Sequence, residues 1–291
     1  MHNDLKQIRI SSIREISAVY FALLQCGYDY YTPERSDAHI RLMHRFSNQL
    51  QVPEFFHGIK QDTCQVYPYW PRAAILETAV FFLRPDLTGF TDFHQFKRKI
   101  MSASNIQNEE RDHRLWDWIA NFPSAVNTVI SSEQFQSYYT WEQEWIAEEN
   151  DRCRKMLDEA GPHLDLCINK YDSPVRTIEI VINPIKCVYA ADYHTVGNKL
   201  IFTSGAFRLD SMIHELLHTA VHPAIERFRD RILEQQPHLP DIDPSYYLSG
   251  SETGVLNAWE EYAVRQLTSH ILRNESPENI PAFLQDLLSA K

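Results

Sequence analysis

Apolar positions recur every three to four residues through most of the first half of the chain. Between Ser11 and Gly27, the residues Ile13, Ile16, Val19, Tyr20, Leu23 and Leu24 fall on one face, and Gly27 supplies a stop, so the spacing predicts a helix. The stretch 36–50 opens on Ser36-Asp37 as a cap and keeps the same period. Further helices are expected over 73–83, 91–103, 109–120 and 132–160. The last is long and Glu-rich, and Gly161-Pro162 at its end predicts a sharp break. That break divides the chain into a helical N-terminal region, 1–162, and a second region, 163–291, unless the two form one continuous domain.

The period then changes. TIEIVINP (177–184) is β-branched and alternating, and KCVYAA and NKLIFTS are strand candidates on either side of a turn-like DYHTVGN. Helical spacing returns over 210–222, 223–236, 255–273 and from Pro277 onward. A few strands feeding helices predict an α+β fold, mostly helical, with a small sheet beside the helix that follows Ser204-Gly205.

Composition narrows the function classes. The 291 residues carry a formal charge of −11, with 14 Lys+Arg against 19 Asp+Glu in residues 1–150 and 14 against 20 in the remainder. No basic half exists to neutralise phosphates, so neither nucleic acid nor an anionic membrane is an expected partner, and the cluster KRK at 97–99 reads as a solvated face. The five Cys are scattered and form no CxxC, which fits reduced thiols better than a disulfide framework or a zinc knuckle. The first seventeen residues lack the apolar stretch of a secretory signal, and the apolar run AVYFALL is far short of the ~20 residues that span a bilayer. A soluble, cytoplasmic protein is expected.

The chemistry concentrates in HELLH, residues 214–218. Positions i and i+4 of a helix stand ~6 Å apart along the axis on one face, so His214 and His218 aim two imidazoles at one point, as a tetrahedral zinc ion requires. Glu215 projects from nearly the same face without being a ligand, placed to take a proton from water as that water attacks a carbonyl. A shuffled chain of this composition contains HExxH about 4% of the time, so context must decide. The motif lies among Met212, Ile213, Leu216, Leu217 and Val221, where unpaired histidines and a carboxylate are costly to bury. The strand candidate Leu200–Ser204 precedes it, an expected edge for pairing with an extended peptide.

A catalytic zinc takes a third protein ligand and leaves a position to water. His222 continues the histidine stripe but lies ~12 Å along the axis from His214, too far to share one ion on a regular helix. It reads instead as a group outside the ligand set, or as the helix end before Pro223; position 224 is Ala, so HExxHxxGxxH is not completed. In NAWEEYAVRQL, Glu260 and Glu261 point ~100° apart, so only one can face the metal. Glu260 shares the apolar face of Leu256, Ala263 and Leu267, whereas Glu261 shares a polar stripe with Asn257, Arg265 and Thr268. Periodicity leaves the two open.

HExxH followed by a glutamate from a later helix resembles the gluzincin class of zinc peptidases. More closely, HELLHTAVHP and EEYAVR resemble the HExxHxxxxP and NE-x-x-VR signatures of an uncharacterised domain-of-unknown-function family of gluzincin-type metallopeptidases. The N-terminal IREISAVYFALLQCGYDYY is also similar to that family's first helix and Tyr-rich segment. The resemblance implies a zincin-like catalytic unit and, by alignment of Val264-Arg265, Glu261 as third ligand. His222 and Glu260 depart from the family's usual Asn at both places.

A donor for the developing oxyanion is also needed. Tyr246 and Tyr247, Tyr193 and His194, and Arg265 are candidates, with Tyr247 and Arg265 placed first; Arg265 could instead pair with Glu261. The expected function is zinc-dependent hydrolysis of a peptide or protein substrate, with Glu215 as general base. The alternative is a catalytically silent zinc scaffold that binds a protein partner.

Overall fold

The computed structural model describes residues 8–27, 36–57, 74–80, 121–186, 188, 191–196, 198–235, 239 and 252–289. The helices expected at 91–103 and 109–120 lie outside these residues. The elements that position the site are β1 (Ile8–Ser11), α1 (Arg14–Gln25), α2 (Asp37–Phe46), α3 (Ala74–Val80), α4 (Phe122–Ile130) and α5 (Glu133–Asp165). They are followed by β2 (Thr177–Ile182), β3 (Asp192–Val196), β4 (Lys199–Ser204), α6 (Leu209–Arg227), α7 (Arg229–Gln235), α8 (Glu252–Leu272) and α9 (Ile280–Ser289). The architecture is α+β, mostly helical with one four-stranded mixed sheet.

Local signals account for several boundaries. The Ser36 side chain accepts from the His39 amide at the start of α2. Gly27 ends α1 at φ 73°, a left-handed conformation that costs glycine nothing. Helix α4 was not anticipated from the sequence, although Pro123 in its first turn is a start signal.

Two expected breaks are absent. Helix α5 runs through Gly161-Pro162 to Asp165 and continues as a wider π-helical turn, Leu166–Lys170. Helix α6 runs through Pro223 to Arg227, so His222 is not a helix end. An interior proline costs ~3 kcal/mol. Each is offset by burial on both sides: Ala160 and Leu164 around Pro162, Val221 and Ile225 around Pro223.

The sheet runs in the order β1-β2-β4-β3; β1-β2 and β2-β4 are parallel, and β3-β4 is antiparallel. Strand β1 has only four residues, too few for alternation to reveal it in the sequence. The segment DYHTV, expected as a turn, is strand β3, and KCVYAA is not a strand over its described residues. The edge beside the HELLH helix is therefore β3, while Leu200–Ser204 is internal. Alternation splits the core between the faces of the sheet. Ile178, Ile180, Ile182, Leu200 and Phe202 join the core of α6, α8 and α9. Val181 and Ile201 join that of α1 to α4. Helix α5 serves both cores, with Phe135 and Tyr138 in one and Cys153, Ala160 and Leu164 in the other.

Two buried polar clusters lie on the α1 side. In the first, Lys186 Nζ donates to Glu77 Oε1 and Asp192 Oδ2, both at 2.6 Å, and to the Tyr20 hydroxyl at 3.0 Å. Burial would raise Glu77, but the Lys186 ammonium and the His194 ring hold it well below the usual carboxylate range. Removing one partner from such a buried pair costs ~3–5 kcal/mol, because it strands the other charge.

In the second cluster, Glu142 accepts from Ser17 Oγ at 2.5 Å and from Asn183 Nδ2 at 3.4 Å. Burial pushes its carboxyl from 4.5 up to about 7, outweighing the lowering effect of hydrogen bonds such as that from Ser17. Below pH 4.5 both the folded and the unfolded chain hold the proton. Between 4.5 and about 7 the unfolded chain loses it while the fold keeps it, so stability falls as pH rises, levelling above that window. A Glu142→Gln variant should lack this slope, its stability over wild type growing by up to ~3 kcal/mol from pH 4.5 to 8. Urea titrations across that range check it; a pH-independent difference between the two proteins would contradict the raised value.

Candidate metal centre

The packing of α8 against α6 brings three of the sequence candidates to one point. His214 Nε2 and His218 Nε2 lie 3.3 Å apart, and Glu261 Oε2 lies 3.5 Å from the first and 3.6 Å from the second. Metal–ligand distances of about 2.0–2.1 Å at tetrahedral angles separate neighbouring ligand atoms by about 3.4 Å. The triangle fits such an ion, and two imidazoles with a carboxylate are a donor set that zinc accepts. Among the described residues this is the group of His, Cys, Asp and Glu with spacing for a metal.

Glu260, the other member of the adjacent pair, faces a different way. Its Oε1 accepts from His218 Nδ1 at 2.7 Å and its Oε2 from His222 Nδ1 at 2.7 Å. With the proton on Nδ1, the Nε2 lone pair of His218 is directed into the triangle. Burial would raise Glu260, but the hydrogen bonds from His218 and His222 outweigh it and hold the carboxyl below its ordinary value. The hydrogen bond to Glu260 in turn raises His222, whose side chain is half exposed. His222 therefore buttresses Glu260 and stands outside the triangle.

Glu261 is fixed from its other oxygen: Arg265 Nε donates to Oε1 at 2.6 Å, one helical turn along α8. Burial raises Glu261, yet His214, Arg265 and His218 together bring it down to about 2, so it is an anion across the ordinary pH range. Arg265 is thus placed on the candidate ligand. Glu215 is half-buried, one residue beyond His214 on α6. Tyr247, and Tyr246 with it, lie outside the described residues.

Strand β3 closes one side. The Tyr193 ring stacks on His218, centroids 5.3 Å apart and planes within 12°. Burial, together with the charges of Glu260, Glu215 and Glu261, pushes its phenol up, so the hydroxyl keeps its proton. His194, the next residue, projects from the opposite face of the sheet toward Glu77, 2.8 Å away, and is no part of the centre. Glu77 and Lys186 are not among the residues singled out from the sequence, and neither is Asp192, which sits in the turn-like DYHTV. For Glu77 and Lys186 the available signal is a lone charge inside the apolar runs AILETAV and INPIKCV, which demands a buried partner.

The chain matches no family model, no curated protein and no solved structure. No helix among the described residues is long and apolar enough to cross a membrane.

Proposed function

We propose that the chain is a zinc-dependent peptidase of gluzincin type, with His214, His218 and Glu261 as ligands and Glu215 as general base. The observation that carries the reading is the triangle of donor atoms, 3.3 to 3.6 Å on a side, with a further carboxylate on the same helix and an edge strand beside it. Zinc bound there would supply Lewis acidity toward a substrate carbonyl and lower the pKa of a water. Glu215 would take the proton of the attacking water and return it to the leaving amine. Tyr193, kept protonated, offers a hydroxyl to the substrate beside His218. An extended peptide would pair with the outer edge of β3, the antiparallel partner of β4. The small mixed sheet packed beside α6 supports a zincin-like unit. The silent-scaffold alternative draws less support, since a closed structural site takes four protein ligands and the described residues assemble three.

Metal content tests the reading first. The purified chain is expected to hold one zinc, and metal-free protein to gain ~4 kcal/mol of stability at zinc a thousandfold above its dissociation constant. Elemental analysis and thermal melts with and without chelator measure both. A chain that neither holds zinc nor is stabilised by it sinks the proposal. A peptide-library digest then addresses cleavage.

A further inference from the structure

Strand β3 joins the metal centre to the N-terminal helices. Tyr193 lies on the face toward α6, opposite Phe202, and its ring covers His218. The flanking residues, Asp192 and His194, turn to the other face, as strand alternation requires. There Asp192 accepts from Lys186 Nζ at 2.6 Å, and His194 Nε2 meets Glu77 Oε2 at 2.8 Å. Glu77, on α3, also accepts from Thr203 Oγ1 at 2.6 Å, from the Tyr20 hydroxyl of α1 at 2.5 Å and from Lys186 at 2.6 Å. Thr203 stands on β4 directly opposite Asp192.

An edge strand has ladder hydrogen bonds on one side only, so its distance from a neighbouring helix is weakly set by the backbone. Here both residues beside Tyr193 are tied from behind to one buried carboxylate or its lysine. Such a cluster adds little stability over apolar packing of equal volume, but each hydrogen bond permits one geometry. We propose that Glu77 is a positioning residue for the metal centre: through His194 and Lys186–Asp192 it holds β3 where Tyr193 lies flat on His218. The N-terminal helices then set the orientation of an imidazole on the opposite face of the sheet. This rests on the reading of His214, His218 and Glu261 as ligands.

The test compares Glu77→Gln, Tyr193→Leu and the double variant in the full chain, by zinc affinity in chelator competition and by amide exchange. Each single variant should bind zinc about 10-fold more weakly. The double should bind no more weakly than the weaker single, because both act through one stack. Exchange in β3 should rise in Glu77→Gln and stay as in wild type in Tyr193→Leu, with β2 protected in both. Tyr20→Phe, which removes one donor to Glu77, substitutes for Glu77→Gln if that chain fails to fold. Losses that multiply, a Glu77→Gln variant with wild-type affinity, or exchange rising equally in β2 would overturn the inference alone. A wild-type chain without zinc affinity overturns the site reading and this inference together.

Discussion

Glu215→Gln is expected to lower peptide hydrolysis by about 10²–10⁴-fold while leaving zinc content unchanged. The amide has the size and hydrogen-bonding reach of the carboxylate, so α6 and the triangle of His214, His218 and Glu261 should persist. What it lacks is a basic oxygen for the proton of the attacking water. The loss should fall on kcat with KM little changed, because substrate pairing along β3 does not involve this side chain in the proposed geometry. Glu215→Asp should sit between the two, with the base retained but withdrawn by one methylene. Initial rates on a peptide cleaved by wild type, alongside metal analysis of each variant, decide it. Unchanged cleavage by a zinc-loaded Glu215→Gln chain would remove the proposed base.

The second large effect separates two adjacent residues. Glu261→Ala should leave no stoichiometric zinc, because it deletes one of three donor atoms that lie 3.3 to 3.6 Å from one another. Glu260→Gln should still bind zinc, about 10- to 100-fold more weakly, because it loosens the hydrogen bond that orients His218 without removing a donor from the triangle. The amide keeps only one acceptor oxygen, so in the same variant His218 and His222 can no longer both donate from Nδ1 to residue 260. Equilibrium dialysis of the two proteins at matched free zinc measures the order. The reverse ranking would exchange the roles assigned to the pair.

That pair also marks the limit of what periodicity resolves. Glu260 lies among apolar positions of α8 and Glu261 on a polar stripe, and either pattern can present a ligand. The choice depends on how α8 is rotated against α6, which is set by the packing of Trp259, Ala263, Val264 and Leu267 into the shared core. The resemblance had implied Glu261, and the geometry brings Glu261 to the histidines and turns Glu260 to their outer nitrogens. Arg265, placed first as an oxyanion donor, instead makes the alternative contact that its i, i+4 spacing allowed, donating to Glu261.

The strands are less legible in the sequence than the helices. DYHTV carries Asp, His and a following Gly-Asn, the composition of a turn, yet β4 recruits it as the antiparallel edge. Its polar residues are satisfied by Lys186, which pairs with Asp192 from six residues upstream, and by Glu77, which reaches His194 from 117 residues away. Turn propensity is a local quantity, and it yields where long-range partners satisfy buried charge. The same logic carried α5 through Pro162 and α6 through Pro223, since burial on both sides outweighs a single missing hydrogen bond.

The sequence by itself therefore determined most of the described helices, α4 excepted, together with the mostly helical α+β class and the convergence of His214 and His218, because helix geometry follows from residues three and four apart. Only the tertiary structure decided which glutamate completes the triangle, which strand is the edge, and that Tyr193 rather than His194 faces the centre. Those are matters of rotation and register between elements packed together in the fold, and spacing within one element does not encode them.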